Sequence, residues 1–313
     1  MSLLRLALVS TALLSLSGVA ALADDENARL LIKSSDRSQE KEWTPERMEK
    51  ATPMGDLTVD PAKIKAAGDK LRAARKEGPP GSNPGATPDS SARAAGDVKD
   101  YPLDMAGKLF FRTSKGDFVC SAQFVGWNML LTAAHCVQDA DTGEYFHDWI
   151  FALQYNNGKY SKLYRATDCV ANKKAWSQPD DSKYQVDYAL ITTDAKSKYG
   201  YFGTAWNWDG NYKEAYKIGY PAGVNKGETM EVVHGPITIE DGIVKMVHGG
   251  NPNQHGSSGG AWLAPWSTNV DEEEKNYVIS LESHGRGEDG VTYGPYFDDR
   301  FANLFDYVEN GCQ

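Results

Sequence analysis

The chain has 313 residues and a net charge of −10, from 33 Lys and Arg against 43 Asp and Glu. That length supports one large domain or two lobes with a substantial core. Residues 101–313 hold 18 basic and 28 acidic side chains and so carry the whole −10; such an acidic part repels phosphates and argues against a nucleic-acid partner.

The chain opens MSLLRLALVSTALLSLSGVAALADD. Arg5 supplies a positive start, residues 6–19 are mostly apolar or small, and Ala21-Leu22-Ala23 is a small-x-small cleavage site. This pattern predicts a secretory signal peptide over residues 1–23, cut after Ala23. The apolar run is short for a membrane span, so no membrane attachment is expected after cleavage. An exported chain, secreted or periplasmic, meets an oxidising environment. The four cysteines, Cys120, Cys136, Cys169 and Cys312, fit two disulfides. No pair has the CxxC spacing of a zinc ribbon.

Residues 24–100 are rich in Lys, Glu, Asp, Ala, Pro and Gly and contain one aromatic, Trp43. The stretch KEGPPGSNPGATPDSSARAAGD (76–97) has many breakers and no hydrophobic period. The segment reads as a propeptide or flexible linker, largely disordered. TPERMEKA and PAKIKAAGDKLRAARK allow one or two weak helices within it.

From Tyr101 the texture changes. KLFFRT, DFVCSAQFVG, MLLTAAH, DWIFALQY, DYALITT, AYKIGY, MEVVHG and YVISLES are rich in β-formers and are punctuated by Gly, Asn, Asp and Pro. This spacing predicts an all-β sandwich or barrel over 101–313. FANLFDYVEN (301–310) has apolar residues at 301, 304, 305 and 308, the period of a short C-terminal helix.

Three short stretches carry chemistry. TAAHC (132–136) ends an apolar strand. Cys120 lies sixteen residues before Cys136, across a strand-turn-strand, so a Cys120–Cys136 bridge would staple the hairpin and fix His135. Histidine is the natural general base near neutral pH, although a lone histidine is more often a core residue. VDYAL (186–190) places Asp187 among residues suited to a buried strand, where a carboxylate needs a partner such as an imidazole N–H. GSSGG (256–260) sets Ser258 among glycines that permit a sharp turn and leave the serine exposed to an approaching carbonyl. The N–H groups of Gly256 and Ser258 can then face a developing oxyanion.

His135, Asp187 and Ser258 follow the order His…Asp…Ser, and with TAAHC, DYAL and GSSGG the chain resembles the chymotrypsin-like serine peptidases over roughly 101–313. GKLFF (107–111), VCSAQFVG…LLTAAHCV (119–137) and KIGYPAG (217–223) are similar to the bacterial glutamyl endopeptidase-like branch. The resemblance implies two packed antiparallel β-barrels with the active site between them. It also implies an endopeptidase acting on protein or peptide substrates through an acyl-enzyme; the leader makes it secreted or periplasmic, and nothing in the sequence demands more than a monomer. No cofactor or metal is expected; the acidic DEEEK (271–275) is read as a solvated loop rather than a calcium site.

Two other readings compete. GSSGG also fits the G-x-S-x-G elbow of serine esterases, but that class orders its residues Ser…acid…His, and here only His284 follows Ser258. A catalytically inactive binding protein on the same fold is the other, although such proteins usually lose a triad residue.

The chain also departs from the family pattern. Ser257 stands where zymogens carry an aspartate that pairs with the new N-terminus, so activation is expected to involve release of the 24–100 segment, with Arg93 and Lys99 as cut sites. ISLESHG (279–285) resembles a strand of the specificity pocket, which makes Glu282, Ser283, His284 and Gly285 candidate substrate-binding residues, with Ser283 near Asp187. Glu282 falls where glutamyl-specific members have a histidine, and it is expected to repel Glu and favour Lys or Arg. Pro252 offers no charge of the kind a trypsin-like pocket uses. His147, His234, His248, His255 and His284 are expected at loops or the cleft rim. Cys169 and Cys312 would tie the C-terminal tail to the first barrel.

Overall fold

Short apolar runs with breakers between them have one economical solution, antiparallel strands that share a core. The computed structural model describes residues 26–33, 42–55, 78–86, 97–179, 181–248, 255–286 and 290–313. Three strands come from the N-terminal segment: β1 (Asn27–Ile32), β2 (Thr52–Pro53) and β3 (Gly81–Asn83), with the helix α1 (Pro45–Lys50) before β2. Then follow β4 (Ala106–Thr113), β5 (Gly116–Gly126), β6 (Met129–Thr132), β7 (His147–Leu153), β8 (Lys162–Lys173) and β9 (Ala189–Thr193). These six close on themselves in the order β7-β4-β5-β6-β9-β8.

The second half supplies β10 (Thr204–Trp206), β11 (Glu214–Gly219), β12 (Glu231–Glu240), β13 (Ile243–Val247), β14 (Ala261–Ala264), β15 (Tyr277–Leu281), β16 (His284–Arg286) and β17 (Val291–Pro295). They form a sheet in the order β16-β17-β13-β12-β11-β14-β15-β10-β3. It curls until β15 and β17 meet, where Ser280 Oγ donates to the Pro295 carbonyl at 2.9 Å and Ser283 N to the Tyr293 carbonyl at 3.1 Å. The expected all-β, chymotrypsin-like architecture is thus present.

Leu109, Phe124, Leu131, Phe151 and Leu190 fill the first barrel, and Val244, Met246, Trp262 and Ile279 the second sheet. The C-terminal helix, α2 (Asp299–Glu309), is capped by Asp298, whose side chain accepts from Arg300 N. Its residues Phe301, Leu304, Phe305 and Val308 are all buried. Each such burial stabilises by about 1.5–3 kcal/mol. Both expected disulfides, Cys120–Cys136 and Cys169–Cys312, are formed.

The expectation of disorder fails for the described parts of residues 24–100. β1 adds to β8 over six registered pairs, β2 runs parallel to β5, and β3 pairs with β10. Trp43 and Met48 are buried against Phe110, Ile150 and Tyr155 on the outside of the first barrel. Trp43 Nε1 donates to the Asp148 carbonyl at 2.8 Å. Arg47 lies 3.7 Å over the Trp43 ring and forks onto both Asp117 oxygens at 2.7 and 2.8 Å. The described parts of the segment pack on the barrel's core rather than one of their own, which composition cannot reveal. Residues 1–23, where a signal peptide is expected, PAKIKAAGDKLRAARK and Arg93 lie outside the described residues; Lys99 is exposed. No helix among the described residues is long and apolar enough to cross a membrane.

The Cys169–Cys312 bridge closes a sequence separation of 143 residues. Replacing both cysteines by alanine is expected to lower stability by about 2–4 kcal/mol, read from the urea midpoint.

Candidate active site

His135 sits on a single 3₁₀ turn, Ala134–Cys136, directly after β6. The Cys136 bridge to Cys120 on β5 pins that turn to the barrel. Asp187 lies two residues before β9 with no exposure to solvent. Its Oδ1 accepts from the His135 backbone N–H at 2.9 Å. Its Oδ2 lies 2.8 Å from His135 Nδ1 and accepts from Ser283 Oγ at 2.5 Å. Burial alone would raise the Asp187 carboxyl; the facing His135 and the hydrogen bonds from His135 and Ser283 overcome this and hold it below the usual carboxylate range. An ionised carboxylate only accepts, so Nδ1 must carry the proton that faces it, and in the neutral imidazole this makes Nε2 the acceptor nitrogen.

The Ser258 loop is shaped by its glycines. Gly259 has φ +82°, and a Cβ there would lie 2.2 Å from Thr132 Oγ1 and 2.5 Å from the Ser121 carbonyl. Gly256 has φ +87°, and a Cβ would lie 2.8 Å from the Tyr220 carbonyl. Ser121, which sequence reasoning passed over, clamps this loop. Its N–H donates to the Ser258 carbonyl at 2.8 Å, and its hydroxyl donates to the Gly256 carbonyl at 2.9 Å while accepting from Tyr220 N at 3.0 Å. The only hint was its place directly after Cys120.

Ser258 is not exposed, contrary to expectation: its relative exposure is 0% and that of His135 is 5%. Ser258 Oγ and His135 Nε2 have no hydrogen-bond partner among the described residues, so neither binds the other. The Gly256 N–H donates to the Met54 carbonyl at 3.1 Å. A cleft of about 410 Å³ runs alongside, lined by Met54, Gly55, Phe118, His135, Trp176 and Tyr184 among others.

Glu282 is also buried, at 2% exposure. Its carboxylate lies 3.3 Å from Lys217 Nζ and accepts from Trp262 Nε1 at 3.3 Å and Thr292 Oγ1 at 2.5 Å. Its charge is therefore already matched inside the protein. The expected preference for Lys or Arg has no free carboxylate to rest on and is withdrawn. Lys217, which sequence reasoning missed, is a lysine within the apolar-looking run AYKIGY. The Glu282 backbone clasps the serine loop, accepting from Gly259 N at 2.8 Å and donating to the Gly260 carbonyl at 2.9 Å.

His284 and His248 are buried rather than placed on a rim, at 2% and 4% exposure. His284 Nδ1 faces Ser283 Oγ at 2.9 Å, and its ring stacks on Tyr293. Burial pushes His284 down to about 4, with His135 adding to this and Asp187 opposing it. His248 falls to about 4 through burial and then the charge of Lys217. Gly285 lies on β16, which pairs with β17 on one side and ends the sheet on the other among the described residues. Such an edge can accept an extended peptide backbone. Pro252 lies outside the described residues. Cys120, His135 and Cys136 lie close enough to ligate an ion, but the two sulfurs are joined in the disulfide.

A peptidase-type fold, with an aspartate gripping a histidine beside a glycine-bound serine, defines the class. The sequence model of the trypsin family matches residues 99–263, more than half of the chain, and the chain belongs to that family. No curated protein sequence matches it. Among solved structures it is similar to a thermostable serine protease, AL20, from an extremophilic microorganism, at 24% identity and TM-score 0.55, covering 66% of this chain and 97% of the other. It is similar to the protease Anisep from Arthrobacter nicotinovorans at 22% identity and TM-score 0.56, covering 68% and 98%. A Glu endopeptidase solved in complex with MPD shares 16% identity at TM-score 0.56, covering 70% and 96%. At these identities the likeness is one of fold.

Two predictions follow from the buried groups. Lys217→Met leaves Glu282 buried without its cation and is expected to cost about 3–5 kcal/mol, whereas Lys217→Met with Glu282→Leu should recover most of this in urea unfolding. His284 and His248 stay neutral in the fold down to about 4, while the unfolded chain protonates them near 6.5. The unfolded state thus binds more protons across that window, so stability falls as pH drops from about 6.5 to about 4. The slope approaches about 1.4 kcal/mol per pH unit for each histidine. Thermal unfolding at pH 4.5 and 7 reads this, and His284→Gln should flatten the dependence.

Proposed function

We propose that the chain is an exported serine endopeptidase using His135, Asp187 and Ser258. The observation that carries this reading is the grip on His135: Asp187 holds its backbone N–H at 2.9 Å and its Nδ1 at 2.8 Å. That grip turns Nε2 into the free basic nitrogen on the fold that brings the Ser258 loop alongside. Nε2 takes the Ser258 proton as Oγ attacks the peptide carbonyl carbon. The negative charge on oxygen is met by the N–H groups of Gly256 and Ser258. The C–N bond then breaks, and the amine leaves with the proton from His135. Water, deprotonated by the same nitrogen, attacks the acyl ester and releases the acid and Ser258. Asp187 stays ionised throughout and stabilises the imidazolium.

Substrates are proteins or peptides, held in extended form against β16, with Ser283, His284 and Gly285 beside the reacting bond and the Glu282 backbone behind the serine loop. No metal or cofactor enters the scheme. GKLFF and KIGYPAG favour the glutamyl endopeptidase-like branch, but without its histidine at position 282 the specificity for Glu is not carried over. The leader-like residues 1–23, the two disulfides and the family support a secreted or periplasmic location.

Peptide-library cleavage tests the reading. Ser258→Ala is expected to abolish cleavage, and Asp187→Asn to lower kcat by about 10⁴-fold by imposing the wrong tautomer on His135. Cleavage that survives Ser258→Ala unchanged would reject it.

A further inference from the structure

A short piece of the N-terminal segment forms part of the wall of the cleft beside the serine loop. Residues 52–55 leave the docked helix α1, run parallel to β5 at Phe118 and Val119, and reach the serine loop. Met54 N–H donates to the Val119 carbonyl at 2.9 Å. The Met54 carbonyl then accepts the N–H of Gly256 at 3.1 Å, one of the two donors that the peptidase reading assigns to the oxyanion. The backbone of Pro53 lies against Gly256, where a Cβ would be 3.3 Å from Pro53 Cβ. Met54 and Gly55 line the same cleft as His135. Within this arrangement Ser258 is fully buried and is not bonded to His135.

We propose that Thr52-Pro53-Met54-Gly55 is an intramolecular strap that silences the intact chain by holding the Gly256 N–H with the Met54 carbonyl. The inference rests on the peptidase reading and adds a regulator to it. A substrate must bring its own carbonyl to the same N–H, so strap and substrate exclude each other. The strap needs little intrinsic affinity, because its tether supplies a high effective concentration. Its anchor is visible: five residues before Thr52, Arg47 grips Asp117 with both forks and covers Trp43, which is itself sunk into the barrel's outer face. Pro53 cannot donate a backbone hydrogen bond, so within the strap it is the Met54 N–H that donates to Val119. The unassembled Ser258–His135 contact explains how the strap lies beside the serine loop without being cut.

Two variants of the full chain test the strap. Arg47→Ala weakens the anchor. Met54→Pro removes the donor to Val119 and leaves the catalytic residues untouched. Each is made with Ser258 intact and with Ser258→Ala. In the Ser258→Ala background, hydrogen exchange at the Gly256 amide is expected to quicken at least tenfold in either variant. With Ser258 intact, kcat/KM for a peptide is expected to rise at least tenfold. Equal exchange, or equal kcat/KM, in parent and both variants overturns the strap and leaves the peptidase reading standing. Absence of Ser258-dependent cleavage from every chain rejects the peptidase reading and the inhibitory role with it.

Discussion

The site depends on one carboxylate that has no contact with water. Burying the Asp187 charge is costly unless each oxygen is answered. His135 answers with a backbone N–H and a ring N–H, and Ser283 with a hydroxyl. These three donors come from both halves of the molecule, the turn after β6 and the stretch after β15. The charge therefore requires the two halves to be in place together. A missing donor would leave an ionised group uncompensated, so the same requirement that orients His135 also welds the halves at the cleft.

Ser121 does the complementary work for the Ser258 loop. One residue beyond a disulfide-bonded cysteine, it ties the Ser258 loop to β5 through both its backbone and its hydroxyl. Glu282 holds the far side of that loop through its backbone, while its side chain is kept in place by Lys217, Trp262 and Thr292. A loop that must turn through two left-handed glycines has little stiffness of its own. Its shape comes from these neighbours. The buried Lys217–Glu282 pair is better understood as a support under the loop than as a pocket charge.

Much of this was legible in the sequence, and the reasons for the rest are specific. The runs that became β4 to β7, β9, β11, β12 and β15 alternate or concentrate β-formers, so burial writes them into the chain. β8 was missed: its run KLYRATDCVANK mixes charges through the strand and changes register between Ala166 and Val170. TAAHC and GSSGG are visible because they match the motifs of the trypsin family in residue type and order. Lys217 was hidden because its partner lies 65 positions away. Met54 was hidden more deeply, since its role is played by a backbone carbonyl, which every residue has.

The N-terminal segment shows the same limit from the other side. Its composition is that of a chain that lacks the apolar residues to build a core of its own. Yet β1, β2 and β3 each complete a sheet that the barrels already offer, and Trp43 fills a place on their outer face. The ordering energy thus comes from the domain. The described strands of the segment add to sheets whose own closure does not run through them. A stretch that is weak alone and held only by docking is physically suited to hold a site shut until it is displaced.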